Sequence, residues 1–530
     1  MQIAKSKSTF LLAACLASAC ASDREQPASE LGRIEARESA APSSSSPAAL
    51  VEAAPTPAAS PLAPSATGTP TEAGDRIYAK ARFAWIKRAP SSGNGWIGFL
   101  TLGGSVRLFE GSRQKAKAIG PGCDAWYRIE PMGYVCLGQE TTLDANDPAF
   151  VTMKTHAGRD GDPFPFEYGE SIGAPRYVEL PTPEKQRDRE WDLEAHLAKL
   201  AQARAAAATG NWAGIAEPYK SLDTKLAGVP FPGLPNVGPF AREARDRVIQ
   251  GSTIAWSKTY DDERGRTWLY TSDHALVPKD RVKPYPKPTF SGVVLSADTK
   301  LPIAFFRKQD RPKYQKDGAA FVQTGASFKR LAWVMLTGES QTVDKKRYLE
   351  TREPSTWVLE SDAAVAALRR EVPYRKDEVV DGKRSWVDVS VFGGTFVAYE
   401  GETPVFATLA SPGRGGTPFP GRDPISTAST PTGTFRVDGK FRWASMVSSS
   451  DSNIVHAEVQ YVQNFHGAHA LHGAYWHDQW GELKSGGCVN LSPLDSKWVF
   501  EWSEPKLPDG WQGARSIKEL GAATRVVVRQ

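Results

Sequence analysis

The clearest alternation of apolar and polar positions lies late in the chain, at Trp386-Val387-Asp388-Val389-Ser390-Val391, followed by Phe392-Gly393-Gly394 and Thr395-Phe396-Val397-Ala398-Tyr399. Period-two patterning interrupted by two glycines predicts a β-hairpin. Val405 to Leu409 supplies another predicted strand, and Thr524-Arg525-Val526-Val527-Val528 a last one. Between them Ser492-Pro493-Leu494-Asp495 predicts a helix start, with Ser492 as N-cap, Pro493 at the first helical position and Asp495 completing a capping box. Leu494, Trp498 and the stretch Phe500 to Trp502 form its predicted buried side.

Earlier segments are broken more often by Gly and Pro. Tyr78 to Ile86, Gly95 to Leu102 and Trp126 to Leu137 are short apolar runs that predict a small β-barrel over residues 76–146. Residues 147–250 form an irregular and helical region, with a helix near Glu190 to Ala208 that sets Leu193, Leu197, Leu200 and Ala201 along one face. Residues 251–375, including Thr253 to Val282 and Gly318 to Val358 with Trp256, Trp268, Trp333 and Trp357, predict further β-modules. Residues 21–75 are rich in Ala, Pro, Ser and Thr, have too few large apolar residues for a core and read as a disordered tether. The fold class is therefore mainly β, in several units, since 530 residues exceed what one core supports. The 46 Gly and 39 Pro agree with strand-and-turn architecture. A net charge of +5 over this length, without a sustained basic patch, excludes a nucleic-acid partner and leaves room for an acidic polymer.

The first residues have the layout of an export signal: Lys5 and Lys7, an apolar run from Phe10 to Leu16, then Ala17-Ser18-Ala19-Cys20. The run is too short for a permanent membrane span. Residues 1–20 resemble a bacterial lipoprotein signal, which makes Cys20 the acylated residue and the membrane a partner through its lipid. With Cys15 also in the leader, three of the five cysteines remain: Cys123, Cys136 and Cys488. In an oxidising compartment Cys123 and Cys136, on either side of a predicted hairpin, are expected to pair as a disulfide. Cys488 is then the odd thiol.

Five of the eight histidines, His456, His466, His469, His472 and His477, fall just before that thiol. A thiol becomes a nucleophile near neutral pH when an imidazole takes its proton, and glycines beside it allow close approach and present N–H groups to an oxyanion. Ser485-Gly486-Gly487-Cys488-Val489-Asn490 supplies both the thiol and the glycines. Two other readings exist for these residues: a buried inert thiol, and a metal site from His466, His469 and His472. The second lacks any matching carboxylate spacing or HExxH, and neither a metal nor a cofactor is expected.

The region resembles the L,D-transpeptidase (YkuD-type) catalytic domain. His472-Gly473 matches the first part of that family's fingerprint, Ser485, Gly487, Cys488, Val489 and Asn490 match the second, and Ser429-Thr430-Pro431-Thr432-Gly433-Thr434-Phe435 matches its Thr-Pro-x-Gly-x-Phe segment. The resemblance covers residues 384–530 and implies a β-sandwich with a short helix, preceded here by modules that resemble SH3-like wall-binding units. It implies Cys488 as nucleophile, His472 as base oriented by the Gly473 carbonyl, the N–H groups of Cys488 and Gly487 as oxyanion donors, Ser485 and Asn490 ordering the loop, and Tyr475 and Trp476 lining the cleft. The implied substrate is the peptidoglycan stem peptide, cut before its terminal D-alanine. Transfer to an amine gives a 3-3 cross-link or an anchored protein, and transfer to water gives a carboxypeptidase. One position departs from the fingerprint: Gly486 stands where the family carries a histidine. A non-catalytic wall-binding lipoprotein with a degenerate domain is the rival reading.

Overall fold

The residues of the strand Ser385–Ser390 are all buried, and it pairs with Thr395–Glu400 from Ser385↔Glu400 to Ser390↔Thr395. Its alternation does not separate a dry face from a wet one. Val387 and Val389 enter the main core, whereas Trp386 stacks on Tyr399 at 4.1 Å in a second core built with Phe290, Ile303, Phe305 and Trp480. Asp388, on that same side, is held by Arg529, with Nε and Nη2 each 2.9 Å from its carboxylate. A buried carboxylate is tolerated only when paired and hydrogen-bonded, and the Arg529 fork supplies both.

The structure is a computed structural model that describes residues 74–93, 95–217, 219–222, 228–230, 247–375, 384–447, 454–515 and 517–530. The leader, Cys20 and nearly all of the tether lie outside the described residues. The architecture is predominantly β, with several small β-modules and short helices. Two sheets build the sandwich. The first runs Val293–Val294, Thr403–Leu409, Thr395–Glu400, Ser385–Ser390, Arg525–Arg529, Gly433–Arg436. Within it Arg525–Arg529 is parallel to Ser385–Ser390 and antiparallel to Gly433–Arg436.

The second sheet has ten strands and crosses a boundary that local pattern does not reveal. It begins with Val489–Leu491, His469–Gly473, Val455–His466 and Gly439–Val447, passes through Gly513–Arg515, and continues into Trp96–Leu100, Ala84–Lys87 and three more strands of the N-terminal module. Gly513 pairs with Phe441 on one side and Phe99 on the other. The two rings meet over it, and a Cβ there would lie 2.3 Å from Phe441 Cδ1 and 2.9 Å from Phe99 Cε1. Cys123 and Cys136 are bonded at the far end of this module, with Cα atoms 5.9 Å apart.

The helix Leu193–Thr209 buries Leu193, His196, Leu200, Ala203 and Ala206, whereas Leu197 is 37% exposed. The expected face is rotated because His196 is drawn inward by polar partners, Tyr219 Oη at 2.8 Å and Asp280 at 3.0 Å. Arg266 bridges Asp280 to Glu190 beside it.

The helix Pro493–Trp502 starts as its sequence predicts, with the Asp495 N–H donating to Ser492 Oγ at 3.1 Å. The Asp495 side chain is not turned back to complete a capping box. It accepts from Gly292 N–H at 2.8 Å, Ser291 Oγ at 3.1 Å and Thr408 Oγ1 at 2.5 Å, so one carboxyl ties the helix to two strands of the first sheet. Burial raises its pKa to about 6 despite these donors. A carboxyl raised in the folded state is stabilising while protonated and loses that advantage as pH rises through its folded value. Asp495→Asn should therefore remove a fall in melting temperature that the native protein shows between about pH 4 and 6. Parallel pH dependences in scanning fluorimetry would refute this.

Candidate active site

The strand His469–Gly473 lies parallel to Val489–Leu491, with Leu471 opposite Val489, His472 opposite Asn490 and Gly473 opposite Leu491. Paired residues share a face and residues two apart share a face. His472 and Asn490 therefore point the same way, and Cys488, two before Asn490, points with them. Packing agrees: Leu471, Val489 and Leu491 enter the main core, whereas Ala470 and Cys488 belong to a separate cluster with Phe99, Phe441 and Val462.

Cys488 is the free cysteine among the described residues and is 3% exposed. Its thiol points to the Ala468 carbonyl at 3.8 Å. His472 is 2% exposed, and its Nδ1 donates to the Gly473 carbonyl at 2.9 Å. A carbonyl only accepts, so in the neutral ring the proton sits on Nδ1 and Nε2 keeps its lone pair. Burial holds the imidazole down at about 4, against the opposing pull of the Gly473 carbonyl. At neutral pH His472 is therefore an unprotonated base with a fixed tautomer. Gly473 is closely packed, since a Cβ would come within 2.6 Å of Ser496 Oγ on the helix.

The loop that carries Cys488 is gripped from several sides. Ser485 Oγ donates to the Cys488 carbonyl at 2.5 Å and accepts from the Gly487 N–H at 3.0 Å. The Gly487 N–H is thus committed to Ser485 and not directed at an oxyanion, which leaves the Cys488 N–H as the donor to consider for that role. Thr430 Oγ1 donates to the Gly487 carbonyl at 2.9 Å and accepts from Gly413 N–H at 2.8 Å. Ser411 and Asn490 exchange backbone hydrogen bonds at 2.8 and 3.0 Å. Thr430 and Ser411 were not assigned roles from sequence, although the Thr-Pro-x-Gly-x-Phe segment was the signal for Thr430.

The remaining histidines surround this pair. Trp476 stacks on His456 at 4.3 Å and tilts toward His472 at 6.0 Å, which places it beside the base. The Asn490 carboxamide is 3.1 Å from His477 Nε2, and the Gln479 N–H donates to His477 Nδ1 at 3.2 Å. Asn490 Nδ2 is the atom that meets His477 Nε2. Asn490 is thereby tied to His477 across the loop.

Tyr475 does not line the cleft. It is 2% exposed, donates to the Ala457 carbonyl at 2.6 Å, meets Thr253 Oγ1 at 2.5 Å and stacks on Tyr168 at 3.8 Å. Its ring is a joint to the preceding module, because a buried tyrosine hydroxyl needs partners and the neighbouring strand supplies them. The segment between His472 and Cys488 is also held from outside the sandwich: Arg307 donates to the Gly481 carbonyl at 2.8 Å and Arg330 to the Asp478 carbonyl at 2.6 Å. Among the described residues no three His, Cys, Asp or Glu side chains converge as a metal-ligand set.

Residues 384–528 match the family model of the YkuD L,D-transpeptidase catalytic domain. Among solved structures the chain is similar to an L,D-transpeptidase from Xylanimonas cellulosilytica, at 23% identity over 29% of this chain and 65% of that one, with a TM-score of 0.19. It is similar to an L,D-transpeptidase from Stackebrandtia nassauensis at 22% identity, over 30% of this chain and 61% of that one, with a TM-score of 0.18. A third is the catalytic domain of an E. faecium L,D-transpeptidase, at 20% identity over 28% of this chain and 98% of that one, with a TM-score of 0.20. The chain thus spans less than two thirds of the length of the first two. No curated protein matches it.

Proposed function

We propose, on the premise that residues 384–528 are an L,D-transpeptidase catalytic domain, that the protein is a cysteine-dependent acyltransferase acting on peptidoglycan stem tetrapeptides. The observation that carries this reading is a neutral, tautomer-fixed His472 on the same sheet face as the free thiol of Cys488. His472 Nε2 accepts the thiol proton. The thiolate attacks the carbonyl joining the third stem residue to the terminal D-alanine, and the Cys488 N–H receives the oxyanion. Collapse breaks the amide bond, and D-alanine leaves with the proton returned from His472, so a thioester remains on Cys488. An amine of a neighbouring stem then attacks the thioester, giving a 3-3 cross-link and restoring the thiol. Water in its place gives a carboxypeptidase, and a protein lysine gives an anchored protein.

Purified tetrapeptide muropeptides should release D-alanine or form 3-3 dimers with the native chain and do neither with Cys488→Ala. A carbapenem should add its mass to Cys488 as a thioester. Wall binding without turnover, unchanged by Cys488→Ala, would instead support the non-catalytic lipoprotein. This reading puts the protein in the cell envelope, exported to the periplasm and anchored by a lipid on Cys20, with labelling by palmitate and its loss in Cys20→Ala as the check.

A further inference from the structure

A cavity of about 290 Å³ lies where the N-terminal module, the module built on Thr253–Asp261 and the strand Gly439–Val447 of the catalytic sheet meet. Phe83, Phe99, Val248, Ile249, Trp443 and Val455 form its apolar walls. Ligand pockets favour such junctions, and they combine an apolar lining with a few convergent polar groups. Phe99 and Ala444 line the cavity and also pack in the cluster that holds Cys488. The cavity thus adjoins the candidate active site, although neither Cys488 nor His472 lines it.

One arginine is fixed in its wall from three directions. Glu458, 4% exposed, accepts at Oε1 from Arg82 Nη2, from Ser272 Oγ at 2.9 Å and from Ser445 Oγ at 3.4 Å. Arg82 belongs to the N-terminal module, Ser272 follows the strand Thr267–Thr271 of the middle module, and Ser445 and Glu458 lie in the catalytic sheet. Glu458 has φ +45°, a region that an ordinary side chain enters only when its surroundings hold it there. Arg82 Nη2 also donates to Ser445 Oγ at 3.3 Å, whereas its Nε and Nη1 have no hydrogen-bond partner among the described residues. The buried carboxylate therefore orients a guanidinium that still has N–H groups to offer.

The charge of the lining points to the ligand. Arg82, Arg176 and Arg247 face the cavity against Asp273 and Glu458. Arg176 pairs with Asp273 and Arg82 with Glu458, while Arg247 donates to the carbonyls of Gly173 and Arg189 and meets no carboxylate among the described residues. A surplus of positive charge beside apolar walls suits a carboxylate on a small apolar body, and a guanidinium held in advance is well matched to it. From Gly439–Val447 to Val489–Leu491 is three strand spacings. At about 4.8 Å each this is about 14 Å, which about four extended residues cover.

We propose that the cavity is an acceptor subsite: Arg82 binds the C-terminal carboxylate of a second stem peptide, with Glu458 as the positioning residue that holds the guanidinium. This rests on the function proposed above, in which an amine of a neighbouring stem resolves the thioester. Arg82 and Ser272 lie outside residues 384–528, so the acceptor is selected by this chain's added modules.

The test is isothermal titration of the full chain carrying Cys488→Ala with a stem tetrapeptide and with the same peptide amidated at its C-terminus. Amidation should weaken binding about tenfold, the effect of losing one charge-assisted pair. Arg82→Gln should weaken the acid form equally and make the two peptides bind alike. Hydrogen exchange should show protection by the peptide at Gly439–Val447 and Thr267–Thr271. Equal affinities of acid and amide, an amidation effect that persists in Arg82→Gln, or no protection of these strands overturns the proposal. If Arg82→Gln fails to fold, the comparison of acid and amide with Arg82 in place decides together with the exchange. Native chain first acylated by a carbapenem should still bind the tetrapeptide, and loss of binding there would make the cavity a donor position and overturn the acceptor assignment. Binding coupled to Arg82 in a chain that neither takes up carbapenem nor releases D-alanine would sink the function proposed above and leave the carboxylate site standing.

Discussion

His472→Ala is expected to lower the rate of Cys488 acylation by a carbapenem, and of D-alanine release from tetrapeptide, by about a thousandfold, within the range general-base removal produces. The reasoning is geometric. Nδ1 is spent on the Gly473 carbonyl, so Nε2 is the basic atom, and it lies on the face that Cys488 shares. His472→Gln should fare little better, because an amide nitrogen cannot accept the proton. The pH profile carries a second expectation. With the imidazole held at about 4, the base stays unprotonated well below the ordinary histidine range, so the limb due to His472 should fall near pH 4 and not near 6.5. A limb near 6.5 that disappears in His472→Gln would show that burial does not control the base. A His472→Ala variant within a few-fold of native would remove His472 from the mechanism.

Gly513→Val should be the most damaging change outside the active site, costing about 3 kcal/mol, the upper part of the range for overpacking. The new Cβ would start 2.3 Å from Phe441 Cδ1 and 2.9 Å from Phe99 Cε1, and backbone pairing on both edges prevents the strand from stepping aside. The variant should separate the N-terminal module from the sandwich, visible as a lower melting temperature and as new proteolytic cleavage between them. Melting within a degree of native would contradict the packing argument. Cys488 shares a packing cluster with both rings and is 3% exposed, so faster alkylation of its thiol should accompany the loss.

What was legible in the sequence followed the range of the interactions. Cys488, His472, Ser485 and Asn490 sit in one short stretch, so residue type and spacing single them out, and strand pairing sets His472 opposite Asn490. Thr430 is different. Its hold on Gly487 exists only because two strands and a loop bring distant segments together. Tyr475 illustrates the limit of composition: an aromatic next to the histidines serves equally as cleft wall or joint, and only the partners Thr253, Ala457 and Tyr168 decide. The helix at Leu193 was readable, but its face was not, because hydrophobic periodicity gives no weight to a histidine buried by Asp280 and Tyr219. The shared ten-stranded sheet was the least accessible feature. Gly513–Arg515 is three residues with no strand signature, and its pairing with Trp96–Leu100 is specified by two rings that need a bare backbone between them.

The position of Arg525–Arg529 has a consequence for the order of synthesis. This strand follows every other strand of its sheet in sequence yet lies inside that sheet, between Ser385–Ser390 and Gly433–Arg436. Those two strands leave the ribosome well before the segment that must join them, so the sheet stays divided until Arg525–Arg529 is made. A nascent chain can hold Cys488 and His472 already translated without a finished scaffold beneath them. Lesions confined to the codons of Arg525–Arg529 would spare Cys488 and His472 and still remove the strand that unites their support.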